Sequence, residues 1–127
     1  MDIQEQMLEM LKERAAKDGI DNIVSVHNSF WDAKLPENSI DLALMVDVYN
    51  EFSHPVQMLA SIRKSLRPGG RVALVEFRLE DEKVPIKLLH KMSKEQIMKE
   101  FPANGFKLVE SYDKLPWQHL MFFEKAD

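Results

Sequence analysis

The sequence contains no cysteine and few glycines, four among 127 residues. Without thiols the chain can form neither a disulfide nor a thiolate zinc site. This absence fits a reducing compartment, and we expect a cytoplasmic protein. The chain also lacks internal repeats, low-complexity segments and linkers. Its length suits one hydrophobic core, so we predict a single domain over residues 1–127.

Long apolar runs and a surplus of basic charge are also missing. The longest apolar stretches, such as Ile40–Val46, are too short to cross a bilayer, and no basic-then-apolar leader opens the chain. We therefore expect neither membrane insertion nor export. The formal net charge is −4, with acids and bases interleaved. Because nucleic-acid binding depends largely on basic patches that neutralise phosphates, we expect no nucleic-acid partner.

Apolar periodicity predicts helices and strands in alternation. Steps of three and four residues predict helices at about 4–18, 55–66 and 94–104. Short β-branched or apolar runs predict strands at 23–26, 40–46, 71–77, 106–112 and 118–124. This order favours an α/β fold with a mostly parallel sheet, ending in an antiparallel hairpin at one edge.

The start of the third predicted helix has the pattern of a capping box. Ser93 stands three residues before Gln96. We expect the serine side chain to cap the helix and the glutamine side chain to reach back to the backbone of the serine.

Three segments carry a resemblance to a known family. They are LPENSIDL at 35–42, LRPGGR at 66–71, and Asn-Gly-Phe at 104–106. Their order and spacing over roughly the last hundred residues resemble the class I S-adenosylmethionine-dependent methyltransferases. The resemblance implies a Rossmann-like sheet of order 3-2-1-4-5-7-6, in which only strand seven is antiparallel. It also implies S-adenosylmethionine as cofactor.

The first residues fit the end of that family's second strand and the helix after it. The resemblance implies that Asp2 accepts hydrogen bonds from both ribose hydroxyls of the cofactor, since a carboxylate offers two acceptor oxygens. The alternative is an acid that favours the start of a helix. In the family, the first strand and a glycine-rich "GxGxG" loop precede this point, where only Met1 stands. The four glycines of the chain occupy turns and form no substitute loop.

The predicted fold is thus a Rossmann-like methyltransferase sheet that lacks the first strand and most of the second. The strand at 23–26 would then have no neighbour, and the apolar strand at 40–46 would have an open edge. An exposed apolar edge favours pairing with other strands. We expect either that these two strands pair directly or that the chain forms a homo-oligomer through the open edge.

The resemblance places the cofactor and the acceptor beyond the carboxyl ends of the parallel strands. The implied cofactor-binding residues are Asp2, Ile3, Ser29, Phe30 and Asp47. The candidates for an acceptor pocket are Tyr49, Asn50, Glu51, Glu76, Arg78, His90 and His119. Two alternatives remain open: Asp47 and Asn50 cap the helix that begins at Pro55, or Phe30 and Trp31 only pack in their loop. The four histidines show no metal-ligand spacing.

Two functions follow from these patterns. One is methyl transfer from S-adenosylmethionine to a small-molecule acceptor. For this in-line displacement, orientation and at most one base suffice, so no catalytic residue is assigned. The other is a non-catalytic methyltransferase remnant that oligomerises as an interaction module and binds no cofactor. A nicotinamide-dependent oxidoreductase fits less well, because the Pro-Gly-Gly turn and the terminal hairpin are unusual there.

Overall fold

The computed structural model describes residues 1–127 and has an α/β architecture. The helices are α1 (Glu5–Lys17), α2 (Pro55–Ser65) and α3 (Lys94–Ala103). The strands are β1 (Ile40–Val46), β2 (Leu66–Arg78), β3 (Lys91–Met92), β4 (Phe106–Tyr112) and β5 (Gln118–Lys125). Two short 3-10 helices cover Tyr49–Glu51 and Leu88–His90. None of the three α-helices combines the length and the hydropathy needed to cross a lipid bilayer.

The main sheet has the order β1-β2-β5-β4, and β3 pairs with the end of β2. Strands β1 and β2 are parallel, whereas β5 is antiparallel to both β2 and β4. This order confirms the 4-5-7-6 part of the predicted methyltransferase sheet. It also places the carboxyl ends of β1 and β2 side by side, where open α/β sheets bind their ligands.

The core lies between one face of the sheet and helices α2 and α3. Met45, Leu74 and Met121 are strand residues in register across β1, β2 and β5, and all three are buried in this cluster. Phe101 of α3 stacks on Phe123 of β5 with a centroid distance of 4.5 Å. These contacts fix the helices over the sheet, and with them the loops at its carboxyl edge.

The outer edge of β1 has no partner strand. The side chains on the uncovered face of this strand are exposed: Leu42 at 54%, Leu44 at 62% and Val46 at 46%. The predicted direct pairing of residues 23–26 with this edge is therefore wrong. The open edge that we expected is present.

The predicted strand at 23–26 is wrong as well. In this region a single parallel bridge joins Asp2 to His27, and Val24 is 85% exposed. A strand needs a neighbour to accept and donate its ladder hydrogen bonds, and this segment has none beyond the bridge.

The capping box is half confirmed. Ser93 Oγ accepts a hydrogen bond from the backbone N–H of Gln96 at 3.0 Å, as predicted. The Gln96 side chain, however, donates to Glu100 Oε2 at 3.0 Å, one turn further along α3. A charged acceptor one turn away gives the amide a stronger bond than the backbone of the cap does.

Strand β2 begins at Leu66, five residues before its predicted start. Ile40 pairs with Leu66 and Leu42 pairs with Arg71, so the intervening residues form a bulge. Gly70 lies in this bulge, where a Cβ atom would stand 2.9 Å from the carbonyl oxygens of Arg67 and Ile40. The close approach of the two strands therefore requires glycine at this position.

Candidate cofactor and acceptor site

A cleft of about 340 Å³ lies between the amino-terminal segment, the loop at 28–30 and the segment after β1. Its volume is within the range of small-molecule pockets. It brings together Asp2, Ile3, Ser29 and Phe30, four of the five implied cofactor-binding residues. Glu51, predicted for the acceptor pocket, lines the same cleft. The cleft residues that sequence reasoning did not single out include Gln4, Met7, Asn28, Val48, Phe52 and Met58.

Backbone hydrogen bonds hold Asp2 against the loop of this cleft. Its N–H donates to the carbonyl of Val26 at 3.1 Å, and its carbonyl accepts from Asn28 at 3.1 Å. His27 Nε2 contacts the carbonyl of Ile3 at 2.8 Å. The first residues and the 28–30 loop therefore form one wall of the cleft.

One oxygen of the Asp2 carboxylate accepts a hydrogen bond within the chain, and the other does not. Oδ1 accepts the backbone N–H of Gln4 at 2.8 Å, immediately before α1. Oδ2 has no hydrogen-bond partner within the chain. Asp2 thus binds the backbone just before α1 without lying in its first turn, and an acceptor oxygen is left at a residue that lines the cleft.

The loop after the Asp2–His27 bridge places the ring of Phe30 at the cleft, whereas the Ser29 hydroxyl is hydrogen-bonded within the loop. Phe30 lines the cleft and is 57% exposed. Ser29 Oγ accepts the N–H of Asp32 at 3.0 Å, so this hydroxyl stabilises its own turn. Trp31 lies outside the cleft and packs edge-on against His54 with a centroid distance of 6.1 Å, which fits loop packing.

Asp47 follows β1 in a left-handed conformation, with φ of 55°. Its carboxylate accepts hydrogen bonds from Gln118 Nε2 at 3.0 and 2.9 Å, so the side chain is directed to β5. Its neighbour Val48 lines the cleft. The alternative that Asp47 or Asn50 caps α2 is wrong, because His54 occupies the cap position and no side chain bonds there.

A second cavity of about 250 Å³ lies beside the first, and Phe52 lines both. Tyr49 and Asn50, two of the predicted acceptor residues, line it. The Tyr49 hydroxyl donates to Glu100 Oε1 at 3.0 Å. Burial, and then the charge of Glu100, raise the pKa of Tyr49, which keeps this phenol protonated at neutral pH.

Glu76 is fully buried within β2 rather than at the strand end that the sequence indicated. Its Oε1 accepts the backbone N–H of Asn50 at 3.0 Å. Burial raises the pKa of Glu76 to about 7, and the charge of Asp47 adds to this rise. The hydrogen bonds from the N–H groups of Asn50 and Tyr49 oppose the rise without cancelling it.

His119 is also buried, directly opposite Glu76 on β5. Its Nε2 contacts Glu80 Oε1 at 3.0 Å and the carbonyl of Met92 at 3.2 Å. We assign the ring proton to Nε2 because both neighbours are acceptors. Burial favours the neutral form of Glu80, but hydrogen bonds from the backbone N–H groups of Lys94 and Glu80, and then the His119 ring, outweigh it and lower the pKa of Glu80.

Arg78 and His90 line neither cavity. The Arg78 guanidinium donates to the carbonyls of Asp113 at 3.1 Å and Leu115 at 3.2 Å, which holds the loop between β4 and β5. His90 is exposed and follows Leu89, which lines the second cavity. Nowhere do three His, Asp or Glu side chains converge in a way that would hold a metal ion.

The three-dimensional arrangement matches solved methyltransferases. The chain is similar to an S-adenosylmethionine-dependent methyltransferase from Aquifex aeolicus, with a TM-score of 0.87 and 17% identity over 95% of this chain. A methyltransferase-like protein from Bacillus halodurans gives a TM-score of 0.75 and 14% identity over 99% of this chain. The trans-methyltransferase CalH, crystallised with S-adenosylhomocysteine, gives 0.78 and 17% identity over 98% of this chain.

This chain is shorter than those structures. It spans 64% of the Aquifex protein, 81% of the Bacillus protein and 41% of CalH. No curated protein matches its sequence. A family model described as a methyltransferase domain matches residues 1–124. Since that match includes nearly every residue, the chain belongs to the methyltransferase domain family.

Proposed function

We propose that this chain carries the adenosine-binding side and the acceptor side of an S-adenosylmethionine-dependent methyltransferase. The observation that carries the proposal is the 340 Å³ cleft, in which Asp2 and Phe30 lie on one wall. The open carboxylate oxygen of Asp2 would accept from the ribose hydroxyls, and Phe30 would pack on the base. The complex of the similar CalH with S-adenosylhomocysteine supports this choice of ligand.

The residues present fit one half of the cofactor. An open carboxylate oxygen and an apolar wall suit adenosine, but no glycine lines the cleft to allow close backbone approach to the methionine half. When bound, the cofactor supplies an electrophilic methyl group on sulfur. The task of the chain is then to orient its two ligands, and Phe52, which lines both cavities, would separate adenosine from the acceptor.

The acceptor is proposed to be a small molecule. The cavity beside the cleft measures about 250 Å³, which leaves room for a small molecule, and Tyr49, Asn50 and Met92 line it. A non-catalytic interaction module is the second candidate, and the uncovered apolar edge of β1 favours it.

Binding of S-adenosylhomocysteine by the purified chain tests the proposal. With half of the site present, we expect weak binding, with a Kd on the order of 1 mM. Amide shifts in two-dimensional NMR should be confined to residues 2–4, 28–30 and 48–53. Asp2→Asn should weaken binding about tenfold, because the amide replaces a charged acceptor. Glu9→Gln, an exposed change on α1, is the matched control and should bind like the unmodified chain.

Two outcomes would count against this assignment. Binding without shifts at residues 2–4 and 28–30 would place the ligand elsewhere. A complete lack of shifts at about 10 mM ligand, well above the expected Kd, would favour the interaction module.

A further inference from the structure

Three buried polar atoms near the second cavity have no hydrogen-bond partner. They are Asn50 Oδ1, Glu76 Oε2 and His119 Nδ1. An amide oxygen and a carboxylate oxygen can only accept hydrogen bonds, and so can Nδ1 of a neutral ring whose proton is on Nε2. Buried polar atoms are nearly always paired, so once Glu76 has lost its proton, above about pH 7, this group calls for a donor from outside the cluster.

The three atoms belong to one cluster. Glu76 and His119 face each other on β2 and β5, so their side chains leave the same face of the sheet about 5 Å apart. The other Glu76 oxygen accepts the N–H of Asn50 at 3.0 Å. Of the three residues only Asn50 lines the second cavity, whereas Glu76 and His119 are buried next to lining residues: Glu76 bonds Asn50, and His119 contacts the carbonyl of Met92.

The charged groups around this cluster are mainly acidic. Asp47 and Glu51, from the segment after β1, act on Glu76, and Glu100 of α3 accepts the Tyr49 hydroxyl. Of the nearby cations, Arg78 bonds the carbonyls of Asp113 and Leu115, whereas Lys91 lines the second cavity and gives one of its N–H groups to the carbonyl of Asp81 at 3.2 Å. No ion pair neutralises Glu76.

We propose that this cluster binds an amine of the methyl acceptor, and that Glu76 takes up the proton that the amine releases. The inference rests on the proposed function and names its substrate class. A hydroxyl would bring one donor to three unpaired acceptor atoms. A neutral primary amine brings two N–H donors. Its charged form brings three, together with a positive charge that the acidic surroundings favour.

The proton and electron balance is simple. An ammonium proton passes to the Glu76 carboxylate, which leaves a neutral amine nitrogen with a free electron pair. With S-adenosylmethionine bound, that pair would be free to bond the methyl carbon as the sulfur–methyl bond breaks, and the electrons of the broken bond would stay on sulfur. Burial raises the pKa of Glu76 to about 7, a value that suits proton uptake at neutral pH.

Benzylamine is the probe, and the free chain is the sample, so no cofactor is needed. The titration of the Glu76 carboxyl carbon is followed by NMR with 13C-labelled glutamate. Saturating benzylamine should lower the pKa of Glu76 by about one unit, because the ammonium group favours the carboxylate. Benzyl alcohol, of the same shape, should bind at least about tenfold more weakly than benzylamine.

Two variants distinguish hydrogen bonding by the buried Glu76 carboxylate from a general effect of negative charge. Glu76→Gln keeps the shape of the side chain and should weaken benzylamine binding about tenfold. Glu82→Gln removes the same charge from an exposed residue that lines neither cavity and should change the Kd less than about twofold, because exposed charges are screened. Equal binding of amine and alcohol, or an unchanged Kd in Glu76→Gln, would overturn the proposal.

Two further results would also overturn it. One is a Glu76 titration that benzylamine leaves unchanged. The other is a doubly protonated His119 ring near pH 8 in the free chain, seen by 15N NMR, because the chain would then supply its own donor. Loss of S-adenosylhomocysteine binding would leave all of these results untouched, so the failures of the two proposals are distinguishable.

Discussion

Glu76 combines complete burial with an ionisable side chain. In the unfolded chain its carboxyl group loses its proton near the ordinary value of 4.5, whereas burial raises the pKa to about 7 in the folded chain. Between these two pH values the folded state holds a proton that the unfolded state has lost. The contribution of this proton to stability is therefore complete below about pH 4.5 and is lost as the pH rises through 7.

Glu76→Gln should remove this pH dependence. We expect the free energy of unfolding of the unmodified chain to fall by on the order of 2–3 kcal/mol between about pH 5 and pH 8. The glutamine variant should show a nearly flat profile, because its amide does not titrate. Urea unfolding at a series of pH values measures the difference. Glu82→Gln, an exposed change in the same acidic region, should keep the original slope.

Residue roles were predictable only in part. Asp2 and Phe30 could be placed in a cofactor site because family motifs fix their position along the chain, and the structure brings both to one cleft. Met7 and Met58 could not, because a cavity forms from segments that are distant in sequence and its walls carry no local pattern. Glu76 was singled out, but its burial depends on β5 and the 3-10 helix at Tyr49–Glu51.

At the scale of elements, local periodicity correctly predicted the three helices. Of the five strands that it predicted, four are present in the structure. The predictions are correct for these segments because each pattern reflects a face that is buried against a neighbouring helix or strand. The segment at 23–26 has the composition of a strand but no neighbouring strand, so composition alone misled. The two-residue strand β3 leaves no periodic signal at all. Whether a segment forms a β-strand depends on a second strand that pairs with it, so the sequence of one segment alone cannot reveal it.

The bulge between β1 and β2 gives a prediction at this scale. Gly70→Ala should destabilise the chain by about 1–3 kcal/mol, since the added methyl group meets two backbone carbonyl oxygens that cannot rotate away. Thermal unfolding by circular dichroism measures the loss. Lys64→Ala, an exposed change near the end of α2, should shift stability by no more than about 0.5 kcal/mol. Equal melting temperatures for the unmodified chain and Gly70→Ala would show that the bulge relaxes freely.

For the whole molecule, the most consequential feature is the unpaired edge of β1. We propose that the chain forms a symmetric dimer by antiparallel pairing of two β1 edges, because a twofold axis makes one patch self-complementary. The pairing would satisfy open backbone groups and bring the side chains of Leu42, Leu44 and Val46 beside those of the partner strand.

Leu44→Lys should weaken this association about tenfold, because a charged side chain on an edge strand opposes pairing. Sedimentation velocity over a micromolar concentration series measures the dimer fraction. Val56→Lys is the control, since Val56 is exposed to a similar degree, 60% against 62%, but lies on α2. The idea fails if the unmodified chain stays monomeric at these concentrations and the β1 amides exchange rapidly with solvent.

The position of β5 constrains how the molecule can be made. It follows β4 along the chain, yet it lies between β2 and β4 in the sheet. On a ribosome, β4 would emerge first and find no strand to join until β5 had also left the exit tunnel. The sheet can therefore be completed only after β5 has been synthesised, and until then its hydrophobic strands remain unpaired. In a nascent chain of this topology, the apolar strands on both sides of β5 stay exposed until β5 takes its place between them.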